Sequence, residues 1–567
     1  MIIKDIEKLL KNVFETLAYP TENIEVIVSN RKDLCDYQFD GSFKLAKVLR
    51  KSPLEIGKTI LEELNNQQET TSMFSKVELL APGFINFTLS DSYINSKINQ
   101  MITEDKFAIT MPHSETIVID YGGPNIAKPL HVGHLRSAIL GESIKRMLAY
   151  LGHKMIADVH FGDYGLQIGQ VIYGLKQENI TLENITLEKL EELYPKISGI
   201  CKENEEIKSI CATITKELQD GNPEYQAYFQ KIKELSVADI KRMYKYIYVD
   251  FDLWNGESDA YPYIEKLTPV LEKMHLLKDS DGAKIIEVAK ESDTKEVPPL
   301  IYQKQNGAYL YGTTDLGAIV ERNEKFNPDR MIYITDSRQA LHFESLFRVC
   351  ELIGWTEKTE FEHLGYGTVN GKDGKPFKTR AGNSPKLDSL FEETKEAFLA
   401  SNEKNKEMSK EDIDKVVNAI IKFADLQNNR EKDYIFDISK FSEVVGKTGP
   451  YILYTYIRIQ NIIKNIDWNS EELLNQTIYN KEDRDLRLKI LELENSLKNA
   501  CNLRLPSILA NFIYELCVNM NAFYEKNHIN NLEDVKKQEN WLILLNLANN
   551  ILKSMLDLLS IKIPERM

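Results

Sequence analysis

A chain of 567 residues, 43% of them hydrophobic and 28% charged, has the size of roughly three or four domains with packed cores, which excludes wholesale disorder. The formal net charge of −15 is weak evidence against a nucleic-acid partner, because net charge sets the far field while a local basic surface still binds phosphate. No run approaches the ~18 apolar residues of a membrane span, and the opening MIIKDIEKLLKNVFETL is an amphipathic helix without the basic region or cleavage site of a signal peptide.

Residues 1–110 read as a small α+β module. Ile24–Val28 alternates like a strand, Phe43–Leu49 and Leu54–Leu64 look helical, and Val77–Leu89 reads as two short strands broken at Pro82-Gly83. From 111 to 394 the pattern becomes strand then helix. Ile117–Ile119, Met155–Val159, Leu300–Gln303 and Met331–Ile334 are short apolar runs, and helical periodicity follows most of them, as at Gln339–Ile353. This predicts a Rossmann-type, doubly wound parallel sheet, whose ligands sit beyond the C-terminal strand ends. A Lys- and Glu-rich stretch over about 177–222 reads as the start of a helical insertion that runs on to about 250. From 395 to 567 strand signals vanish. Five helical stretches (Val416–Leu426, Tyr451–Ile466, Leu486–Ala500, Pro506–Tyr524 and Trp541–Leu559) predict an all-α bundle. Cys35, Cys201, Cys211, Cys350, Cys501 and Cys517 are scattered without a CxxC pair, which fits buried thiols in a reducing cytoplasm and gives no reason to expect bound zinc.

The segment Tyr121–Tyr150, YGGPNIAKPLHVGHLRSAILGESIKRMLAY, is the most informative. His131 and His134 stand three apart where a strand gives way to a helix, so both donors fall beside the positive end of the macrodipole, a seat for phosphate. Gly133 lets a nucleotide come close to the backbone. HxGH alone also describes two surface histidines at a turn; Pro124-Asn125 and Lys128 ahead of it sharpen the signal. Four further segments fall at or near strand ends. Phe161-Gly162-Asp163-Tyr164-Gly165-Leu166-Gln167 is a tight strand-to-helix turn. In Tyr309–Leu316 a helix starting near Tyr311 would put that ring and the Asp315 carboxylate on one face, as a guanidinium or ammonium substrate requires; the competing reading is a helix cap at Thr313 or Thr314. Asp336–Phe343 adds polar groups to the same rim, or is a capped helix start. GKDGKPFKTRAG (Gly371–Gly382), with Lys372, Lys375, Lys378 and Arg380, is a basic loop able to close over a triphosphate, or a solvated hairpin. Convergence of these loops on one rim of one sheet favours the functional readings over independent coincidence.

These residues resemble the class I aminoacyl-tRNA synthetases, and within them the arginyl-tRNA synthetase family. PNIAKPLHVGH looks like that family's form of the HIGH signature; HFGDYGLQIG, YLYGTTDLGAIVER, DSRQALHF and GKPFKTRAG resemble its later blocks in the same order, and the closing IPERM its usual end. The resemblance runs from about residue 20 to the C-terminus. It implies a cytoplasmic, monomeric enzyme that uses ATP with Mg²⁺ to attach L-arginine to tRNA(Arg). It also implies an N-terminal domain contacting the tRNA elbow, a Rossmann catalytic domain and an anticodon-binding bundle.

Roles follow from the same resemblance. His131, Gly133, His134 and His342 would bind ATP, with His131 and His134 stabilising the α-phosphate region. Asn125, Glu257, Tyr311, Asp315 and Gln339 would bind arginine. Phe84, Asn86, Tyr454, Arg458 and Met567 would face tRNA. Two departures stand out. Lys378-Thr379-Arg380-Ala381 replaces the usual KMSKS form, so Lys128 is expected to take part of the loop lysine's work, assisted by Lys378 or Arg380. Tyr456 stands where relatives often have His. The competing readings are another HxGH nucleotidyltransferase, a class I synthetase for another amino acid, and a non-catalytic tRNA-binding paralogue.

Overall fold

The apolar run at Ile117–Ile119 forms the middle of a strand, Thr116–Tyr121, inside a four-stranded parallel sheet. The computed structural model that contains it describes residues 1–128, 130–375, 386–469, 472–475 and 477–567. Across the sheet the order is Glu360–Tyr366, Arg330–Asp336, Thr116–Tyr121 and Lys154–Asp158, every pair parallel. The chain leaves the Thr116–Tyr121 strand for one neighbour and later returns to its other side. That reversal opens a crevice between the C-terminal ends of Thr116–Tyr121 and Arg330–Asp336, the place where open α/β sheets bind ligands.

One sequence expectation about this sheet is corrected, and one strand escaped it. Leu300–Gln303 is a strand, but it belongs to a separate antiparallel sheet with Leu277–Ser280 and Ala283–Ile286. Leu300 and Tyr302 are buried while Ile301 is 44% exposed, the alternation of a strand with one wet face, whereas parallel strands are covered on both. The parallel sheet instead takes Glu360–Tyr366 as its edge. Its charges hid it: Glu362 pairs with Arg330 and with Arg504, the latter at 2.9 Å.

The expected insertion over 177–250 contains three helices, Leu187–Glu203, Glu205–Gln219 and Pro223–Tyr246. Their starts are capped by the side chains of Thr186, Asn204 and Asn222, and Pro223 occupies the first turn, where its missing N–H costs nothing. Strand structure does not end at 395. Tyr434–Ile435 pairs in parallel with Val369–Asn370, and the helix Lys410–Leu426 lies in the same compact unit as the parallel sheet, which comprises residues 112–451, 503–510 and 556–567.

The other unit comprises residues 1–111, 452–502 and 511–555. Its antiparallel sheet has the order Val26–Val28, Tyr37–Phe39, Phe84–Leu89, Phe74–Leu80. The helix expected over Leu486–Ala500 is two, Lys481–Leu491 and Leu493–Asn502, parted at Glu492. Asp483 anchors the first: fully buried, it binds Arg487 at 2.6 Å and accepts from the Trp541 indole at 3.0 Å.

Candidate active site

His131 caps the helix Val132–Tyr150. Its Nδ1 accepts the Gly133 N–H at 3.2 Å, and the His134 Nδ1 accepts the His131 N–H at 3.2 Å, so each ring satisfies a donor that the helix start leaves free. A Cβ on Gly133 would come within 3.0 Å of the His131 ring. The glycine therefore lets that ring fold back onto the turn. Burial lowers both imidazole pKa values, with Lys128 adding to it in each case, and His134 falls to about 3. Neutral rings whose Nδ1 accepts keep their proton on Nε2, available to an anion.

A cavity of about 1000 Å³ opens beside these histidines at the sheet's reversal. Its wall includes His131, Gly133, His134, Asn125, Glu257, Tyr311, Asp315, Gln339 and His342, so every residue expected to bind ATP or arginine lines one space. Asn125 is held by pairing of its loop with Gly162: the Gly162 N–H donates to the Pro124 carbonyl and the Ile126 N–H to the Gly162 carbonyl, each at 3.1 Å. A Cβ on Gly162 would stand 2.0 Å from Asn125 Oδ1.

Tyr311 begins the helix Tyr311–Phe326, as the spacing required, and Asp315 lies one turn on. The capping alternative does not hold: Leu310 is the N-cap, Thr313 donates to the Tyr302 carbonyl at 2.5 Å and Thr314 to the Tyr311 carbonyl at 2.9 Å. Asp315 Oδ2 lies 2.6 Å from His342 Nε2, and the Tyr311 and His342 rings are 4.6 Å apart. His342 is thus in contact with two members of the expected arginine set.

Glu257 starts the helix Glu257–Lys273. Asp163 docks that helix, accepting from the Ser258 N–H at 2.9 Å and its hydroxyl at 2.7 Å and pairing with Lys233 at 2.7 Å. A Cβ on Gly256 would strike the Asp163 carboxylate at 2.4 Å. The acid of the GDYG motif therefore acts by positioning Glu257. Burial pushes the Glu257 carboxyl up to about 7, with Asp163 and Asp315 also raising it and His160 opposing.

Sequence reasoning missed the floor of the cavity. Asp120 and Asp158 face each other at the ends of adjacent strands, and Arg322 Nη2 reaches both, at 2.5 and 2.7 Å. His160 lies just beyond, with φ +32°. Asp120, Asp158 and His160 bring possible ligand atoms within 4.8 Å of one another. Arg322 already takes an oxygen of each carboxylate, so the donor set does not fit a divalent ion. The available signal was Asp120 directly after the apolar strand core and His160 directly before the GDYG turn.

Not every expected residue joins the cavity wall. Lys128 lies over the Tyr194 ring of the insertion, 4.4 Å from its centroid. Lys378 and Arg380 fall outside the described residues; where the chain is described again, Lys386 pairs with His131 in an antiparallel bridge and the Leu387 N–H donates to the Leu130 carbonyl at 2.9 Å. Of the residues expected to face tRNA, Asn86 is buried and accepts from Gln38 at 2.8 Å, and Phe84 packs on Phe43. Tyr454 is exposed, Arg458 lies over the Tyr524 ring at 4.8 Å, and Met567 ends the chain in the unit that holds the parallel sheet. Among the described residues no helix is long and apolar enough to cross a membrane.

Three family models match the chain. "tRNA synthetases class I (R), catalytic domain" covers residues 97–438, "DALR anticodon binding domain" residues 452–567, and "Arginyl tRNA synthetase N terminal domain" residues 1–89. An arginine–tRNA ligase of Alkaliphilus oremlandii is 38% identical over 591 residues, spanning the whole of both chains. The crystal structure of arginyl-tRNA synthetase from Plasmodium falciparum matches with a TM-score of 0.84 at 26% identity, covering 100% of this chain and 99% of that one. The Thermus thermophilus arginyl-tRNA synthetase, at 20% identity and a TM-score of 0.81, shares the fold over the full length of both.

Proposed function

The chain belongs to the arginyl-tRNA synthetase family of class I, and from that premise we propose that it joins L-arginine to tRNA(Arg) through an arginyl-adenylate, using the residues of the one cavity described above. The observation that carries this reading is the shared wall: acids able to grip a planar cation, Asp315 and Glu257, border the same space as the neutral His131/His134 pair.

ATP lies with its phosphates over the start of the Val132–Tyr150 helix, where the Nε2–H groups of His131 and His134 and the helix dipole meet negative charge. Arginine lies alongside, its guanidinium between Asp315 and Glu257 and against the Tyr311 ring, its backbone end toward Asn125 and Gln339. The arginine carboxylate attacks the α-phosphorus in line, forming a new P–O bond as the bond to pyrophosphate breaks. The protein's part is positioning and stabilisation of developing charge. His131 and His134 donate to the α-phosphate oxygens, and the basic loop over Gly371–Gly382, with Lys378 and Arg380, acts with Lys128 on the outer phosphates. A magnesium ion accompanying the triphosphate supplies further charge neutralisation; no protein residue is assigned to it. A terminal ribose hydroxyl of the tRNA then attacks the activated carbonyl and AMP leaves.

His342 steadies Asp315 and lies toward the nucleotide side. Residues 1–110 meet the tRNA elbow and residues 452–567 the anticodon stem, with Phe84, Tyr454, Arg458 and Met567 contributing contacts, whereas buried Asn86 supports its strand from within. The net charge of −15 does not oppose this, since contact with phosphate is decided by local surface. The chain works in the cytoplasm as a monomer.

Incubation with ATP, labelled arginine and total tRNA tests the reading. Label should appear on tRNA, and arginine-dependent exchange of pyrophosphate into ATP should require that tRNA be present. Charging with a different amino acid, or with none, overturns it; the latter outcome would favour a tRNA-binding paralogue.

A further inference from the structure

His160 is unused by the mechanism above, yet its surroundings are unusual. Both ring nitrogens are buried and neither has a hydrogen-bond partner among the described residues. Nε2 faces Asp315 Oδ1 at 3.9 Å, too far for a hydrogen bond and close enough for strong coupling. The residue is held there with φ +32°, a conformation that non-glycine side chains adopt at a cost.

Charged groups face His160 from every neighbouring element. Asp120 comes from the central strand, and Asp158 from its own, accepting the His160 N–H at 3.3 Å. Asp315 and Arg322 come from the Tyr311–Phe326 helix, and Glu257 from the helix that it starts. His342 binds the far oxygen of Asp315. Among the described residues this sets four carboxylates, Asp120, Asp158, Asp315 and Glu257, around one guanidinium, that of Arg322. Buried charge without a partner is costly, so the floor needs a further cation until the substrate arrives.

We propose that His160 supplies this missing cation in the empty pocket, as an imidazolium, and that the guanidinium of arginine replaces it, so that arginine binding expels a proton from His160. The inference rests on the assignment of Asp315 and Glu257 to the guanidinium. It gives His160 a role in specificity: only a ligand carrying its own delocalised cation to this depth can stand in for the imidazolium, with the discharged ring free to accept a guanidinium N–H. The balance at the site agrees. Burial pulls the imidazole down, Arg322 does the same, and Asp120, Asp158 and Asp315 outweigh both and raise it.

The test is titration calorimetry of arginine into the full-length protein at pH 6.5, in buffers of low and high ionisation enthalpy, which counts protons released per arginine bound. An imidazole raised above its ordinary value holds more than about half a proton at that pH. His160→Asn, chosen because asparagine tolerates positive φ, should therefore release at least roughly half a proton fewer than the unaltered protein. Glu257→Gln separately removes the carboxyl's own contribution. An unchanged proton count in H160N, with binding still weakened by Asp315→Asn, overturns the role of His160 alone. Arginine binding indifferent to D315N overturns the pocket assignment and the proposal with it. If H160N fails to fold, nitrogen-15 spectra of labelled imidazoles in the His342→Asn protein decide: one ring should pass from charged to neutral as arginine is added, and the absence of any such ring rejects the proposal.

Discussion

The rings of His131 and His134 stack with their centroids 3.7 Å apart and their planes 23° from parallel. Two charged imidazoles would repel at that separation, and burial keeps both neutral, His134 with a pKa of about 3. Each Nδ1 is committed to a main-chain N–H, which leaves each Nε2–H as the donor for phosphate. Replacing either by Ala should slow adenylate formation by about 10²-fold or more, the usual loss when a preorganised donor to a transition state is removed. Gln, whose amide nitrogen occupies roughly the place of Nε2, should recover more of the rate than Asn. Single-turnover formation of arginyl-adenylate in the presence of tRNA measures this. Full activity in both Ala variants would show the pair to be a helix cap alone.

Asp315→Asn keeps the shape of the side chain and a partner for His342 but removes the charge facing the guanidinium. A charge-assisted hydrogen bond is worth about 1.5–3 kcal/mol. The KM for arginine should therefore rise roughly 10- to 100-fold, with a smaller change in kcat and little change in the KM for ATP. An arginine KM equal to the parent's would mean that Asp315 serves only His342.

How much of this is legible in the sequence depends on where the signal lies. The His131/His134 turn, the Tyr311/Asp315 pair and the Asn125 loop announce themselves because short spacing along the chain places their side chains together. The floor does not: Asp120, Asp158, His160 and Arg322 meet only after separate elements assemble, and Arg322 lies mid-helix, where it resembles any exposed arginine. The Glu360–Tyr366 edge strand is hidden by glutamates that pair with Arg330 and Arg504 across the fold. Leu300–Gln303 reads correctly as a strand and points to the wrong sheet, because an apolar run of four carries no information about its neighbours. The role of Asp163 as a dock for the Glu257 helix is equally out of reach, since the contact crosses 95 residues of chain.

The Glu257 carboxyl, raised by burial from 4.5 to about 7, should trade stability for affinity. A folded-state pKa above the unfolded one contributes stability that is present below about pH 4.5 and is lost as pH rises through 7. A tenfold difference in proton affinity between the folded and unfolded chain is worth about 1.4 kcal/mol. Glu257→Gln, which cannot ionise, should thus be more stable than the parent at pH 8, by on the order of 3 kcal/mol, and equal to it near pH 4. The same variant should bind arginine more weakly at pH 8, where the parent's carboxylate is charged. Urea unfolding at the two pH values checks the first half and arginine titration the second. A stability difference independent of pH would place the titration elsewhere.

Arg322 joins Asp120 and Asp158 at a depth where it is 2% exposed, with its guanidinium 5.4 Å over the Tyr333 ring. Arg322→Met preserves much of the side chain's volume and leaves two facing carboxylates without their cation. Breaking a buried pair from one side costs about 3–5 kcal/mol, and the cost should grow with pH, because protonation of either carboxyl relieves the repulsion. Asp120 is the one to take the proton first: its burial already raises it, against the pull of Arg322 and His160, whereas Asp158 is held below its ordinary value despite burial. Adding Asp120→Asn to Arg322→Met should therefore restore a substantial part of the lost stability at pH 8 and little at pH 5, a coupling that a double-mutant cycle of urea midpoints reads directly. If the two substitutions merely add at both pH values, Arg322 supports the fold through packing on Tyr333, and the floor of the pocket does not depend on its charge.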